Sequence, residues 1–546
     1  MIPYMKINPT MARHFLDKGY WKPLIFADFF ERNAKDCPKD EALVDGDTRL
    51  SWADLNLYAE RAALKMVEMG IERDSVMIEQ TQDCWEHVVM RLAAEKAGVV
   101  SLPVMRVLRH AEIEHLVRIT RTKTILIPKT FRDFDYYQML QDIKDNTPSL
   151  EHIFVVGDDI PEGTISVREI VKEPLEEKYP PHHLMDRRFK PEEIGTLTAT
   201  TGTTGFPKVT QWVLAAQLTA NEGHVKAWEM SKGDVCLSLA PLPGLGGTIT
   251  YRCAPQVGAK IVLIEHYTPE KALELIEKER VTILALVPTQ LSAILSHPDF
   301  EKHDLSSIRI VRPSGGVTAP SLIDEAESRL NCKVLISYGG TDYGSMTHMS
   351  IHSSDRARRF SVGKPLHNLQ IKFLDDRGEE ADEGVIVVKG PCTSDGYWEN
   401  AEATREVWTK DGWGNTGDLG RFDEEGNLVI LGRKKDMIIR GGQNIFPAEI
   451  ERYLLSHPKI KDVAIVGMPD PQMGERACAF VVPKPGQTIS FDDMVAFLRG
   501  KNLASYKLPE RLEILDAMPL AGGQKIDKKA LRRIIETKIE IEGKTS

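Results

Sequence analysis

Residues 198–208 read Thr-Ala-Thr-Thr-Gly-Thr-Thr-Gly-Phe-Pro-Lys. Hydroxyls and exposed backbone N–H groups donate to anionic oxygens, and the Lys208 ammonium neutralises their charge, so the run suits a loop wrapped around a polyphosphate. It is not a Walker A loop. That pattern needs Gly-x-x-x-x-Gly-Lys-Ser/Thr opening a helix, whereas here Phe206 and Pro207 separate Gly205 from Lys208, and Val209 follows. Taken alone, the segment also admits a polar surface linker. Its companions decide between the two.

On both sides of the loop, helix-period stretches alternate with short apolar runs. Before it, residues 51–70 space apolar side chains three and four apart and stop at Gly70, as an amphipathic helix does. Val76–Ile78 is then strand-like, 86–97 helical, and Val99–Val104 apolar again. After the loop, Val235–Ala240, Ala259–Ile264, Ile283–Val287, Ile308–Val311 and Lys333–Ile336 are strand candidates, with helical stretches such as 269–280 and 319–330 between them. This alternation predicts an α/β fold of packed, mostly parallel sheets with helices.

From about residue 434 the character shifts. A basic, glycine-containing segment precedes a helix over 447–456, strands over 462–467 and 477–483, a helix over 491–501 and a basic tail. That is enough chain for a small α+β domain. The expected division is a large N-terminal domain, 1–434, and a small mobile C-terminal domain, 435–546.

A chain of 546 residues exceeds one compact core, which agrees with two domains. No 18-residue apolar run appears, which argues against a membrane span. The N-terminus, Met-Ile-Pro-Tyr-Met-Lys-Ile-Asn, lacks the blocks of a signal peptide, so the expected location is the cytoplasm. Seven scattered cysteines without a Cys-x-x-Cys spacing read as reduced thiols, not as a disulfide framework or zinc site. A net charge of −10 leaves no general footprint for nucleic acid.

Four further turns carry chemistry. Ser314-Gly315-Gly316 and Tyr338-Gly339-Gly340-Thr341-Asp342 each follow a strand candidate, at the strand ends where α/β folds admit ligands. The second offers an aromatic ring, a permissive backbone, a hydroxyl and a carboxylate for a base, a phosphate and Mg²⁺. Gly412-Trp413-Gly414-Asn415-Thr416-Gly417-Asp418 ends in a carboxylate able to accept two ribose hydroxyl bonds. Gly432-Arg433-Lys434-Lys435-Asp436 is the fourth turn, and Gly522-Gly523-Gln524-Lys525 places a lysine after two glycines. Singly, each turn has a plain structural explanation.

In this order, the motifs resemble the adenylate-forming superfamily: acyl- and aryl-CoA synthetases, adenylation domains of nonribosomal peptide synthesis, and firefly luciferase. The resemblance runs from about residue 25 to about residue 532. Arg440-Gly441-Gly442-Gln443-Asn444-Ile445-Phe446-Pro447-Ala448-Glu449-Ile450-Glu451 and Tyr506-Lys507-Leu508-Pro509 are similar to the free-standing aryl-acid branch, which activates benzoate, dihydroxybenzoate and related ring acids.

The resemblance implies two half-reactions. A carboxylate attacks the α-phosphorus of Mg·ATP, giving acyl-adenylate and pyrophosphate, and a thiol, that of coenzyme A, then displaces AMP. Such chemistry needs positioning and charge neutralisation rather than an activated protein nucleophile. By matching position, Thr200, Thr201, Gly202, Thr203, Thr204, Gly205 and Lys208 would hold the β- and γ-phosphates. Gly315, Gly316 and Tyr338 would frame the adenine, with Gly339 also in the nucleotide site, Thr341 would touch the α-phosphate, Asp342 would help bind Mg²⁺, and Asp418 and Arg433 would hold the ribose. Lys525 would bridge the attacking carboxylate and the α-phosphate, completing a catalytic set with Thr341 and Lys208. Gly244, Leu245, Gly246, Gly315, Gly339 and Gly340 would line the acid pocket. Lys435 matches the hinge about which the small domain turns, so that Lys525 serves the first step and leaves for the second. The loop around Gly441 and Gly442 then faces the pantetheine arm.

Three positions depart from the family pattern. Asp342 stands where most relatives carry glutamate, and Gln524 replaces the usual glycine before the lysine. Gly244 occupies a position usually held by histidine or an aromatic, and Leu245 one where relatives taking 2-hydroxybenzoates carry an asparagine. An ortho hydroxyl buried there unpaired costs about 1–3 kcal/mol. The expected acid is therefore benzoate-like or alicyclic rather than salicylate or dihydroxybenzoate.

Two readings stand beside the CoA ligase. One is an aryl-acid adenylating enzyme that loads a carrier protein in trans for siderophore synthesis, since no carrier domain follows before Ser546. The other is a nucleotide-binding regulator without chemistry, against which Lys208, Asp418, Arg433 and Lys525 together count. The expected partners are the small-molecule acid, ATP and coenzyme A, with a homodimer left open.

Overall fold

The computed structural model describes residues 9–200, 206–501, 503–521 and 525–545. One seven-stranded sheet runs in the order Lys333–Val334, Ile310–Pro313, Ile283–Leu286, Val235–Ser238, Lys260–Leu263, Glu41–Asp45, Thr48–Ser51. All its neighbours are parallel except the last pair. Val235–Ser238 has its sequence successor on one side and Ile283–Leu286 on the other, so the strand order reverses between these two. Crevices at the carboxyl ends of such a switch point admit ligands.

A second seven-stranded sheet runs Val209–Val213, Ile194–Ala199, Val100–Pro103, Val76–Glu79, Thr124–Pro128, His152–Val156, Ile165–Ser166. It is parallel apart from its first pair. The threonine loop joins that antiparallel pair, Ala199 facing Val209. It is thus a long hairpin loop, which explains why no helix follows its lysine.

Continuous Val/Ile/Leu runs suit strands covered on both faces, and Val76–Glu79, Thr124–Pro128 and Ile283–Leu286 are buried at every position. The helix Trp52–Glu68 starts where expected because Ser51 accepts the Asp54 N–H while Asp54 accepts the Ser51 N–H, a reciprocal cap. The helix Trp85–Ala97 is buried along its whole length and touches strands of both sheets. Strand 333–336 is shorter than expected, closing at Val334 before the chain turns toward Tyr338.

A third, antiparallel sheet of five strands includes Glu383–Lys389, Gly414–Phe422 and Leu428–Arg433. The C-terminal part has its own core. The long hairpin Ile460–Asp470/Gly474–Pro483 carries the helices Pro447–Leu454 and Phe491–Arg499 on one face, and Leu531 and Ile535 of the final helix pack on the other. It meets the preceding sheet through Arg452, whose Nη2 donates to the Ile430 carbonyl at 3.4 Å.

Candidate active site

The neck of the threonine loop is closed twice. Thr200 N–H donates to the Lys208 carbonyl at 2.8 Å, and Lys208 N–H donates to Thr200 Oγ1 at 3.0 Å. The expected phosphate ligands Thr201, Gly202, Thr203, Thr204 and Gly205 lie outside the described residues. The Lys208 ammonium sits 5.3 Å from the Tyr397 ring centre and 3.6 Å from a Glu406 carboxylate oxygen. Both charges of that pair are about half exposed or more, so the contact is weak and a phosphate can displace it.

Strand Val209–Val213 has a second neighbour, the segment 395–398. Gln211 N–H donates to the Gly396 carbonyl at 2.9 Å and Trp398 N–H to the Val209 carbonyl at 2.8 Å. This seats Tyr397 beside Lys208, and its hydroxyl donates to Asp342 Oδ1 at 2.7 Å. Burial, then the neighbouring Asp342 carboxylate, hold the Tyr397 hydroxyl well above its usual pKa, so it stays a donor. Ser394 Oγ donates to the Asp342 carbonyl, and Thr210 Oγ1 reaches the Thr341 carbonyl at 3.3 Å. The structure therefore straps Thr341 and Asp342 to the strand that follows Lys208 and to the segment paired with it.

Thr341 and Asp342 cap a tight hairpin, Gly339–Gly340 against Gly344–Ser345. A Cβ on Gly339 would lie 2.4 Å from the Gly344 carbonyl oxygen, and one on Gly344 would lie 2.5 Å from the Trp212 ring at a φ of +86°. The second position excludes other residues by both space and conformation.

Among the described residues no three His, Cys, Asp or Glu side chains gather as a metal site. Mg²⁺ on a nucleotide needs only one or two carboxylates, the rest being phosphate and water. With Oδ1 engaged by Tyr397, Asp342 has its second carboxylate oxygen left for that role, so the donor set fits.

Asp418 and Arg433 face each other across two antiparallel strands, with Arg433 Nε 3.4 Å from Asp418 Oδ1. The Tyr338 hydroxyl donates to Asp418 Oδ2. Burial raises the pKa of Asp418, and the hydrogen bond from Tyr338 and the charge of Arg433 oppose that rise only in part. Tyr343 joins this group to the Thr341–Asp342 turn, its hydroxyl donating to the Asn415 carbonyl. Gly315, at φ +80°, and Gly316 lie over Val287 and Pro288.

Sequence reasoning passed over a buried polar group beneath these turns. Arg312, fully buried, is the penultimate residue of the strand before Ser314-Gly315-Gly316, and its Nη2 donates to Ser337 Oγ at 3.1 Å. It thereby ties the roots of the Gly315 and Tyr338 turns. His224, also fully buried, stacks on Trp228 at 4.9 Å with neither ring nitrogen bonded among the described residues. Burial above all, with Arg312 and His348 nearby, holds its pKa well below the usual value.

The expected acid loop leaves the switch point. Leu242 N–H donates to the buried Asp83 at 3.0 Å, which pins the loop, and Gly244 is exposed. A Cβ on Gly247 would lie 2.5 Å from the Leu242 carbonyl oxygen. Leu245–Thr248 then runs as a 3₁₀ turn into the π-turn Ile249–Cys253 and the helix Ala254–Val257, a local irregularity frequent at functional sites. Leu245 and Gly246 are described in backbone only.

Lys435 lies in a short turn, Lys434–Asp436, and its carbonyl accepts from Arg532 Nη2 at 3.4 Å. Gln524 lies outside the described residues, and Lys525 is described in backbone only, paired with Ala521 in the hairpin Leu520–Ala521/Lys525–Ile526.

Nucleotide-type turns gathered at the strand ends of a large α/β domain, followed by a small α+β domain, define an adenylate-forming enzyme. The chain belongs to the AMP-binding enzyme family, which it matches over residues 30–398, with the AMP-binding enzyme C-terminal domain matched over residues 449–525. It is 29% identical over 538 residues to the 2-hydroxy-7-methoxy-5-methyl-1-naphthoate–CoA ligase of Streptomyces carzinostaticus, covering 96% of this chain and 95% of that one. It is 30% identical over 542 residues to the medium-chain fatty-acid–CoA ligase of Escherichia coli (strain K12), covering 97% and 94%. The fold superposes on a crystal structure of an anthranilate CoA ligase in complex with anthranoyl-AMP with a TM-score of 0.85 at 24% identity, covering 94% and 97%. The expected fold and enzyme class, an AMP-forming acid–thiol ligase, are borne out. No helix among the described residues is long and apolar enough to cross a membrane.

Proposed function

We propose that this chain is an ATP-dependent, AMP-forming acid:CoA ligase that activates a cyclic carboxylic acid, aromatic or alicyclic, and passes it to the thiol of coenzyme A. The observation that carries the reading is the strapping of Thr341 and Asp342 to the strand that follows Lys208 and to the segment paired with it, through Thr210 and Tyr397. It brings the segments that carry a cation, a hydroxyl and a carboxylate together, the groups a triphosphate needs, which supports this reading. The naphthoate ligase among the relatives supports a cyclic acid, and the fatty-acid ligase makes linear acids the control.

In this reading the threonine loop and Lys208 grip the departing pyrophosphate, and Asp418 with Arg433 holds the ribose. Gly315, Gly316 and Tyr338 frame the adenine, with Gly339 also in the nucleotide site, and Thr341 steadies the α-phosphate. Asp342 would hold Mg²⁺ through the carboxylate oxygen that Tyr397 leaves open, and the ion would supply charge neutralisation at the phosphates. Lys525 donates to the carboxylate and α-phosphate oxygens in the first step. Rotation of the small domain, 435–546, about Lys435 then withdraws it and opens the way for the thiol. Gly244, Leu245 and Gly246, with Gly315, Gly339 and Gly340, line the acid pocket, and Leu245 offers no partner to an ortho hydroxyl. We place the enzyme in the cytoplasm on its seven free cysteines, which suit a reducing compartment.

The test is AMP formation with ATP and coenzyme A against cyclic and linear acids. Benzoate or an alicyclic acid is expected to exceed salicylate and the linear acids. A preference for ortho-hydroxylated members would overturn the acid assignment, and activity only with a carrier protein the acceptor assignment.

A further inference from the structure

Phe206 is a large apolar side chain left 57% exposed, two residues before Lys208. Its ring stacks on the His115 imidazole, with centres 4.7 Å apart and planes 18° from parallel. Pro207, between Phe206 and Lys208, is buried, and its carbonyl lies beside the same imidazole. This arm is stiff, because the proline ring fixes its own φ and the residue before a proline is restricted to extended backbone. A contact made at Phe206 therefore reaches Lys208, at most about 7 Å further along the chain, with little slack.

His115 stands on an anchored element. The helix His110–Thr120 buries Ile113, Leu116, Val117 and Thr120, and the Arg109 N–H at its start donates to Glu112 Oε2 at 3.0 Å. Its far end approaches the other flank of Lys208. Arg121, the residue after the helix, pairs with Glu399 at 3.0 Å, and Glu399 lies two residues from Tyr397, the ring beside the Lys208 ammonium. Exposed as it is, that ion pair adds little energy, but it makes the helix a neighbour of the segment that seats Tyr397. Helix, Glu399, Tyr397, Lys208 and Phe206 thus close a ring of contacts, and His115 completes it. Its Nδ1 is buried without a hydrogen-bond partner among the described residues, so the ring face makes the contact. Burial above all, with Arg118 adding to it and the Pro207 carbonyl opposing, lowers the pKa of His115, and the ring stacks in its neutral form.

We propose that His115 is a positioning residue for Lys208: it docks the Phe206–Pro207 arm on the helix and so sets where the Lys208 ammonium stands toward the phosphates of Mg·ATP. The assignment rests on the reading of Lys208 as a phosphate ligand. His115 itself touches no phosphate and moves no proton.

The experiment uses the full chain as wild type, His115→Ala, His115→Phe, Phe206→Ala, the His115→Ala/Phe206→Ala double variant and Lys208→Ala. It reads the Kd for Mg·ATP by equilibrium binding, with acid-dependent ATP–pyrophosphate exchange alongside. His115→Ala is expected to weaken Mg·ATP about three- to tenfold, the range of one aromatic stack, and to raise the KM for ATP by the same factor while the KM for the acid stays. His115→Phe keeps a ring on Phe206 and returns the Kd to near that of wild type. Phe206→Ala matches His115→Ala, and the double variant binds no more weakly than either single one, because both remove the same contact. An unchanged Kd in His115→Ala, losses that multiply in the double variant, or no rescue by His115→Phe overturns the dock. Lys208→Ala is expected to lose more affinity than any of these, and wild-type affinity in that variant overturns the reading of Lys208 beneath the proposal.

Discussion

The Tyr338 hydroxyl donates to Asp418, whose other carboxylate oxygen faces Arg433 across the strand pair. The carboxylate is thereby oriented from both sides while burial raises its pKa. Replacing it, Asp418→Asn, removes the charged acceptor proposed for the ribose. The KM for ATP is expected to rise about ten- to hundredfold, the range of a hydrogen bond to a charged group. Thermal stability should hold or increase, because folding no longer buries a charge.

The same shift sets a pH dependence. Since burial raises the pKa of Asp418 above its ordinary 3.8, protons claim the acceptor at a higher pH than they would an exposed carboxylate. The KM for ATP should climb as pH falls through that raised value and stay flatter in Asp418→Asn. Identical acid limbs in the two proteins would contradict the assignment.

Tyr397, beside Lys208, holds Asp342, the carboxylate proposed for Mg²⁺. Tyr397→Phe frees Asp342 Oδ1 while keeping the ring beside Lys208. The Mg²⁺ concentration for half-maximal exchange should rise about three- to tenfold, matching the loss of one hydrogen bond. An unchanged Mg²⁺ requirement would sever Asp342 from metal binding.

Gly344 holds a backbone conformation that other residues rarely adopt, against Trp212. Gly344→Ala should cost about 2 kcal/mol or more in unfolding stability through strain and the clash. Exchange should fall further than stability, since Thr341 and Asp342 shift with the turn. Full exchange activity in the folded variant would show that the turn does not position them.

The alternation of strands and helices was legible because fully buried parallel strands need unbroken apolar runs, as in Ile283–Leu286. The turn at Ser314-Gly315-Gly316 was legible because Gly315 adopts a conformation that few other residues tolerate. The straps were not. Tyr397 and Asp342 are 55 residues apart, and nothing local marks a tyrosine whose partner is chosen by how a distant segment pairs with Val209–Val213. Arg312 and His224 were hidden for the same reason: only packing tells a buried charge from a surface one. The antiparallel edge that makes the threonine loop a hairpin likewise depends on pairing between strands, not on either strand's composition.

His224 is buried with its pKa held well below the ordinary 6.5. Below that value the unfolded chain takes up a proton that the folded chain refuses, so stability falls as pH drops from about 6.5 toward the depressed native value. The slope contributed is up to about 1.4 kcal/mol per pH unit. In His224→Gln, the loss of urea stability between neutral and mildly acid pH should shrink. A slope equal to that of the wild type would contradict a neutral buried His224.

The central claim is acid-dependent adenylation through Lys525, and the most direct measurement is ATP–pyrophosphate exchange with a cyclic acid, comparing wild type with Lys525→Ala. The account predicts exchange that requires the acid and falls by two orders of magnitude or more, roughly the loss of one transition-state donor, in the variant. Exchange of equal rate in the two proteins, or none in the wild type with any acid, would contradict it.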